Sequence, residues 1–183
     1  TVLRTLKNFI VEKEVNDIIV HYDKIVDGDT DTFITTLKGQ TIRDIDRSGK
    51  YLIFILDQDA FISHLRMEGK YNIVESKSPL NKHEHITFML NDGTQLRYHD
   101  TRKFGRLKLT DKAKYQEDRL VSKLGPEPWD ADPDEIYLRL HKSSVPIKTL
   151  LLDQSIMAGI GNIYANEICF QMKLHPKTPG KRL

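Results

Sequence analysis

The stretch from Pro146 to Glu167 constrains this chain more than any other. Pro146 stands where a first helical turn tolerates proline, because the amides of that turn have no intrahelical acceptor. Ile147, Leu150 and Leu151 follow at helical spacing, and Leu152 widens the apolar stripe. Gly159 and Gly161 then break the pattern, since glycine reaches backbone angles that other residues avoid. A second helix is expected beyond them, with Ile163, Tyr164, Glu167, Ile168 and Met172 in register. The pattern is helix, tight glycine turn, helix. The free amides at the start of the second helix, beside Asn162, make an end that binds phosphate well. Periodicity alone favours a plainer reading: a helical hairpin packed in a core, its glycines serving only close approach.

The chain before this stretch has another period. Thr1 to Ile10 reads as a helix with Val2, Leu3, Leu6 and Ile10 on one face, and it begins abruptly, as though cut there. Asp17–Tyr22 is an expected strand. Thr30 or Asp31 can cap a short helix carrying Phe33, Ile34 and Leu37, which Gly39 ends. Strands are then expected at Thr41–Asp46, Tyr51–Leu56, Ala60–Leu65, Lys70–Val74, His85–Leu90, Thr94–Tyr98 and Phe104–Leu109. Asn91-Asp92-Gly93 marks a hairpin turn between two of them. Closely spaced strands with short turns indicate a sandwich or barrel. Leu124-Gly125-Pro126-Glu127-Pro128-Trp129 carries two prolines and continues neither strand nor helix, so it reads as a linker. Asp134–His141 is an expected helix, and His175-Pro176 closes the last one. The expected architecture is α+β: an antiparallel β-sandwich domain with flanking helices over residues 1–128, then an incomplete helical domain over residues 129–183.

Composition limits the function classes. Hydrophobic content of 39% with 30% charged residues describes a globular protein with a real core, and no apolar run reaches the length of a membrane span. One cysteine, Cys169, excludes an internal disulfide and a multi-cysteine zinc site; its apolar neighbours predict a buried thiol. A net charge of +2 announces no nucleic-acid partner by itself. Its distribution says more: Arg97, Arg102, Lys103, Arg106 and Lys108 face only Asp100 between positions 97 and 108, and Lys173, Lys177, Lys181 and Arg182 meet no acid over 171–183. Such clusters can follow a phosphate backbone, although a solvated face explains either one taken alone. Lys82-His83-Glu84-His85 offers two histidines and one acid, too few for a metal site.

The string Gly159-Ile160-Gly161-Asn162-Ile163-Tyr164-Ala165 with Glu167 resembles the helix-two-turn-helix signature of the formamidopyrimidine-DNA glycosylase and endonuclease VIII family. Four further strings resemble it in the family's order: Ser48-Gly49-Lys50-Tyr51, His64-Leu65-Arg66-Met67-Glu68-Gly69-Lys70, Lys82-His83-Glu84-His85 and Asp100-Thr101-Arg102-Lys103-Phe104-Gly105. The resemblance covers nearly the whole chain. It implies that Asn162 and the turn at Gly161 hold a DNA phosphate beside the lesion, and that His83, Lys148 and, less closely matched, Lys142 contact DNA. It implies that Met67 enters the space left by an extruded nucleotide, Arg102 faces the base opposite, and Phe104 wedges between base pairs. Such filling fits a protein that works on an extruded base. Lys50 then contacts phosphate and assists elimination. Arg66 and Glu68 depart from the small residues more usual in the family's loop.

The family's chemistry uses an N-terminal proline followed by a glutamate, and a cysteine zinc ribbon further on; neither stands in these residues. The resemblance therefore implies a glycosylase and AP lyase that excises oxidised purines (formamidopyrimidine, 8-oxoguanine) from double-stranded DNA, trimmed at both ends and without catalytic activity as it stands. It implies zinc only in the intact protein and no cofactor here. A damaged duplex as partner, no membrane, a monomer and a bacterial cytoplasm with the nucleoid complete the expectation. The alternatives are a non-catalytic DNA-binding relative and an RNA-binding helix-two-turn-helix protein.

Overall fold

In the computed structural model, residues 2–183 are described, and they fall into two compact units. Residues 1–47 and 51–118 form the first; Ser48–Lys50 and Arg119–Leu183 form the second. Helix α1 spans Val2–Ile10, and Thr1, the expected first residue of that helix, lies outside the described residues. Strand β1 is Val15–Val20 and helix α2 is Thr30–Leu37. The α2 cap is Asp29, one residue before Thr30 and two before Asp31, because its carboxylate reaches the Thr32 amide at 2.7 Å.

Seven more strands follow: β2 Asp44–Ser48, β3 Tyr51–Ile55, β4 Asp59–His64, β5 Lys70–Glu75, β6 Glu84–Leu90, β7 Thr94–His99 and β8 Arg106–Asp111. They make two four-stranded sheets, ordered β1-β6-β7-β5 and β2-β3-β4-β8. The assigned pairs β1·β6, β6·β7, β5·β7, β3·β4 and β4·β8 are antiparallel. The core lies where the inward faces meet. Phe61 of one sheet stacks on Phe88 of the other with ring centroids 5.3 Å apart, and Phe54 stacks on Phe61 at 4.4 Å. Burial of such a side chain contributes about 1.5–3 kcal/mol. Phe33 of α2 packs edge-on against Phe61 and closes the cluster. Gly93, with φ +82°, makes the β6–β7 turn.

The second unit carries α3 Pro133–His141, α4 Ile147–Leu152 and α5 Asn162–Gln171. Asp132 caps α3, with its carboxylate accepting from the Asp134 amide at 2.9 Å, and Pro133 takes the first helical position. Pro146 sits one place outside α4, as its cap residue, rather than inside the first turn. Ile136, Leu140, Ile147, Leu150, Leu151, Ile156, Ile160, Ala165 and Cys169 form the buried cluster, so the thiol is buried as expected.

Three expectations change here. The segment 124–129, expected as a linker, is packed: Gly125 donates its amide to the Gln154 carbonyl at 2.8 Å, and a Cβ on Gly125 would fall 2.6 Å from the Ser155 carbonyl. The apolar register of α5 also differs: Ile163, Tyr164 and Met172 are exposed, and the buried face is Ala165 and Cys169 with Ile168 against it. A helix apolar on several sides does not announce which face is buried, and here the small residues allow the closest approach. Finally, α5 ends at Gln171, before His175-Pro176, in a turn where Lys173 has φ +53°. Among the described residues no helix is long and apolar enough to cross a membrane.

Candidate nucleic-acid interface

Met67, Arg102 and Phe104 meet at one edge of the first unit. Strands β4 and β5 are joined by the loop at Leu65–Gly69, and β7 and β8 by the loop at Asp100–Gly105. Neighbouring pairings bring the loops side by side: Lys70 pairs with His99, and His64 with Arg106. The Arg102 guanidinium lies 3.0 Å from Met67 Sδ and 4.6 Å from the centre of the Phe104 ring. Met67 is 76% exposed and Phe104 50%. A thioether, a cation and an aromatic ring therefore stand together in solvent, where a core role for either apolar residue is excluded. Glu68 accepts a hydrogen bond from the Thr101 hydroxyl and ties one loop to the other.

Asp100 builds the second loop. An ion pair with the Arg102 side chain would be the simplest use for it, but its carboxylate turns to backbone instead. Oδ1 accepts from the Arg102 amide and Oδ2 from the Phe104 and Gly105 amides, each at 2.9 Å. Burial opposes ionisation of Asp100, yet the Gly105, Arg102 and Phe104 amides outweigh it and hold the carboxyl below its ordinary value. No periodicity signals this role; the position of Asp100 just before the Arg102 string is its only mark.

The basic cluster of 97–108 is smaller than its sequence suggests. Arg97 is 4% exposed and faces inward, paired with Glu84 at 2.9 Å. Lys108 pairs with Asp118 at 2.7 Å. Arg102, Lys103 and Arg106 remain at the loop, and Lys103 also lies 4.6 Å over the Tyr22 ring. His83 is half-buried, its ring 5.7 Å from that of His99, at the end of a loop that Arg97 grips through the Ser78 and Pro79 carbonyls. Glu84 is taken up by Arg97, and the His85 Nε2–H donates to the Asp100 carbonyl at 2.7 Å. Among the described residues no three His, Cys, Asp or Glu are grouped to hold a metal, and Cys169 is buried in an apolar cluster. Zinc finds no ligand set here, so no step is assigned to it.

In the second unit the glycine turn gathers a different set. Gln154 spans it: its Nε2 donates to the Leu152 and Ile160 carbonyls, each at 2.9 Å, and its Oε1 accepts from the Gly159 amide at 3.0 Å. Gly159 needs its freedom, with φ +87°. Gly161 caps α5 with no side chain bonded to the first turn, so the opening amides beside exposed Asn162 stay available. The cation at this turn is Lys50: Nζ donates to the Ile160 carbonyl at 2.6 Å, while Gly49 donates to Glu127 at 2.8 Å. Nothing in the residues around Lys50 signals desolvation, but burial lowers the pKa of its amine. The residue as a whole remains exposed. Lys148 is the second residue of α4 and partly buried, its amide donating to the Pro176 carbonyl at 3.2 Å. Lys142 closes α3 and is exposed. No bond joins either lysine to Asn162, and Gln154 and Lys50 do the gathering at the turn.

Two family models match this chain: the formamidopyrimidine-DNA glycosylase N-terminal domain over residues 1–107, and the formamidopyrimidine-DNA glycosylase H2TH domain over residues 124–183. The chain belongs to the formamidopyrimidine-DNA glycosylase family. It is 41% identical over 186 aligned positions to a formamidopyrimidine-DNA glycosylase of Bacillus cereus, covering 100% of this chain and 67% of that protein. The relative from Ligilactobacillus salivarius is 43% identical with the same coverage of both chains, 100% and 67%. Among solved structures, Lactococcus lactis Fpg (MutM) in complex with a FAPY-dG-containing DNA superimposes with a TM-score of 0.95 at 39% identity, over 100% of this chain and 69% of that one. The same enzyme in complex with an abasic-site-containing DNA gives 0.95 at 39% identity, with coverages of 100% and 69%. The chain thus spans about two thirds of the length of these glycosylases.

Proposed function

We propose that this chain is the DNA-engaging part of a base-excision-repair glycosylase that acts on oxidised purines, formamidopyrimidine and 8-oxoguanine, in duplex DNA. The intact protein would also nick the strand by β,δ-elimination, as an AP lyase. The observation that carries the reading is the exposed group of Met67, Arg102 and Phe104 on adjoining loops. An apolar chain fills the space of an extruded nucleotide, a guanidinium offers donors to the base left opposite, and a ring enters the stack. Asn162 and the opening amides of α5 supply a phosphate site, and Lys50 adds a cation at the same turn. His83, Lys142 and Lys148 contact the backbone of the duplex. The partner is double-stranded DNA with a damaged base, the protein acts as a monomer, and the setting is a bacterial cytoplasm with its nucleoid.

Covalent chemistry by these residues alone is not part of the proposal. Imine formation needs a neutral amine. The Lys50 Nζ is engaged in donating to the Ile160 carbonyl, so it serves phosphate contact and elimination rather than attack. Equilibrium titration at fixed salt tests the reading, with duplexes that differ only by one abasic-site analogue. Tighter binding to the damaged duplex is expected, and equal affinity for both would sink it.

A further inference from the structure

The two loops that carry Met67 and Phe104 rest on one buried side chain. Tyr98, on β7, is fully buried, and its ring packs edge-on against Tyr71 at 5.2 Å. Its hydroxyl ends against the Cα atoms of two glycines, one from each loop. A Cβ on Gly69 would fall 2.2 Å from the Tyr98 oxygen, and one on Gly105 would fall 1.8 Å from it. No other residue type fits at either place. The same hydroxyl lies 3.4 Å from Asp100 Oδ2, the atom that also takes the Phe104 and Gly105 amides.

Each loop also holds one non-glycine residue in the left-handed region, Arg66 with φ +55° and Lys103 with φ +57°. Such residues persist only where their surroundings over-determine them. Arg66 is held by its amide bonded to His64 Nδ1 at 2.9 Å, and Lys103 sits inside the Asp100 ring of amides. The floor under both loops is therefore specified more tightly than a solvent-exposed turn requires.

We propose that Tyr98 and Asp100 form a buried positioning unit that fixes the Met67 loop and the Arg102–Phe104 loop relative to each other, so that nucleotide extrusion and void filling are executed by one rigid element. The proposal rests on the DNA-lesion reading above. Neither residue touches DNA; both act through the loops. Their substitution changes how a damaged duplex is distorted, while contacts to intact backbone persist.

The test uses the full 183-residue chain with Asp100→Asn, which keeps shape but turns an amide group towards backbone N–H donors, and Tyr98→Phe, which removes only the hydroxyl. The first readout, without DNA, is amide hydrogen exchange. Exchange at Phe104 and Gly105 should accelerate about tenfold in Asp100→Asn, the loss expected for one charge-assisted bond. Gly69 should respond in Tyr98→Phe. The second readout is the fluorescence of an aminopurine placed opposite an abasic-site analogue at saturating protein. The rise on binding should fall by half or more in both variants, with affinity for undamaged duplex within about twofold. Unchanged loop exchange overturns the positioning unit. Faster exchange with an undiminished fluorescence rise overturns its part in extrusion. Should Asp100→Asn lose its cooperative melting transition, Tyr98→Phe decides the matter by the same two readouts. Failure of the unsubstituted chain to bind a damaged duplex overturns the DNA-lesion reading and the purpose assigned here, while exchange still judges the clamp.

Discussion

Replacing Arg97 with methionine should cost this protein about 3–5 kcal/mol of folding stability, the usual penalty for breaking a buried ion pair from one side. The magnitude follows from what the guanidinium holds. Arg97 Nη1 donates to Glu84 Oε2 and to the Pro79 carbonyl, each at 2.9 Å, and Nη2 to the Ser78 carbonyl at 2.8 Å. Gln95 Oε1 accepts from Nε and Nη2 at 2.8 and 2.6 Å. Arg97 and Glu84 are 4% and 6% exposed, so methionine would strand a carboxylate in the interior with only the Asn81 amide as partner. Replacing both partners, Arg97→Met with Glu84→Gln, should recover much of the loss, since the stranded charge is gone. The assay is urea unfolding with comparison of midpoint and slope. A loss below about 1 kcal/mol at an unchanged slope would refute the reasoning. The pair also predicts a pH dependence. Burial opposes ionisation of Glu84, but the Asn81 amide and Arg97 outweigh it, so the folded carboxyl titrates below its ordinary value. A depressed carboxyl contributes stability above its unfolded pKa, about 4.3, and loses it as pH falls through the folded value. Glu84→Gln should therefore flatten the acid limb of the stability curve.

Asn162→Ala should weaken binding to damaged duplex by about 1–3 kcal/mol if one hydrogen bond to a phosphate is lost, and an unchanged titration at fixed salt would count against the phosphate site. Gly105→Ala should destabilise the first unit by at least the ~1–3 kcal/mol typical of overpacking, because its methyl would press on the Tyr98 hydroxyl; an unshifted unfolding midpoint would contradict it. Borohydride treatment of the chain on an abasic-site duplex should trap no covalent adduct, and an adduct mapped to Lys50 would show that its amine attacks the sugar after all.

Much of the fold was legible because its strands alternate and its turns are marked. Each expected strand from Tyr51 to Leu109 is present, with ends displaced by a residue or two, as at Thr94–His99. Arg97 was illegible for the opposite reason. A period of two places alternate residues on one face but cannot say that a charged one faces inward, and the partner Glu84 lies on another strand. Tyr98 and Asp100 belong to the same class: their work depends on two glycines, one of them far away in sequence. Met67, Arg102 and Phe104 were legible from short strings, and the pairing of β4 with β8 and β5 with β7 then brought them together. On α5 the helix was legible but its buried face was not, because Ala165 and Cys169 are too small to stand out among Ile163, Tyr164 and Phe170.

The central claim, that the Met67 and Arg102–Phe104 loops are what enters a damaged duplex, is met most directly by site-specific photocrosslinking. A duplex carrying a photoreactive thiothymine opposite an abasic-site analogue would be irradiated with the chain, and the crosslinked peptide identified by mass spectrometry. The account predicts crosslinks within the Asp100–Gly105 or Leu65–Gly69 loops, absent when the same probe sits in undamaged duplex. Crosslinks confined to other surfaces such as α3, or equal yields from damaged and undamaged duplex, would contradict it.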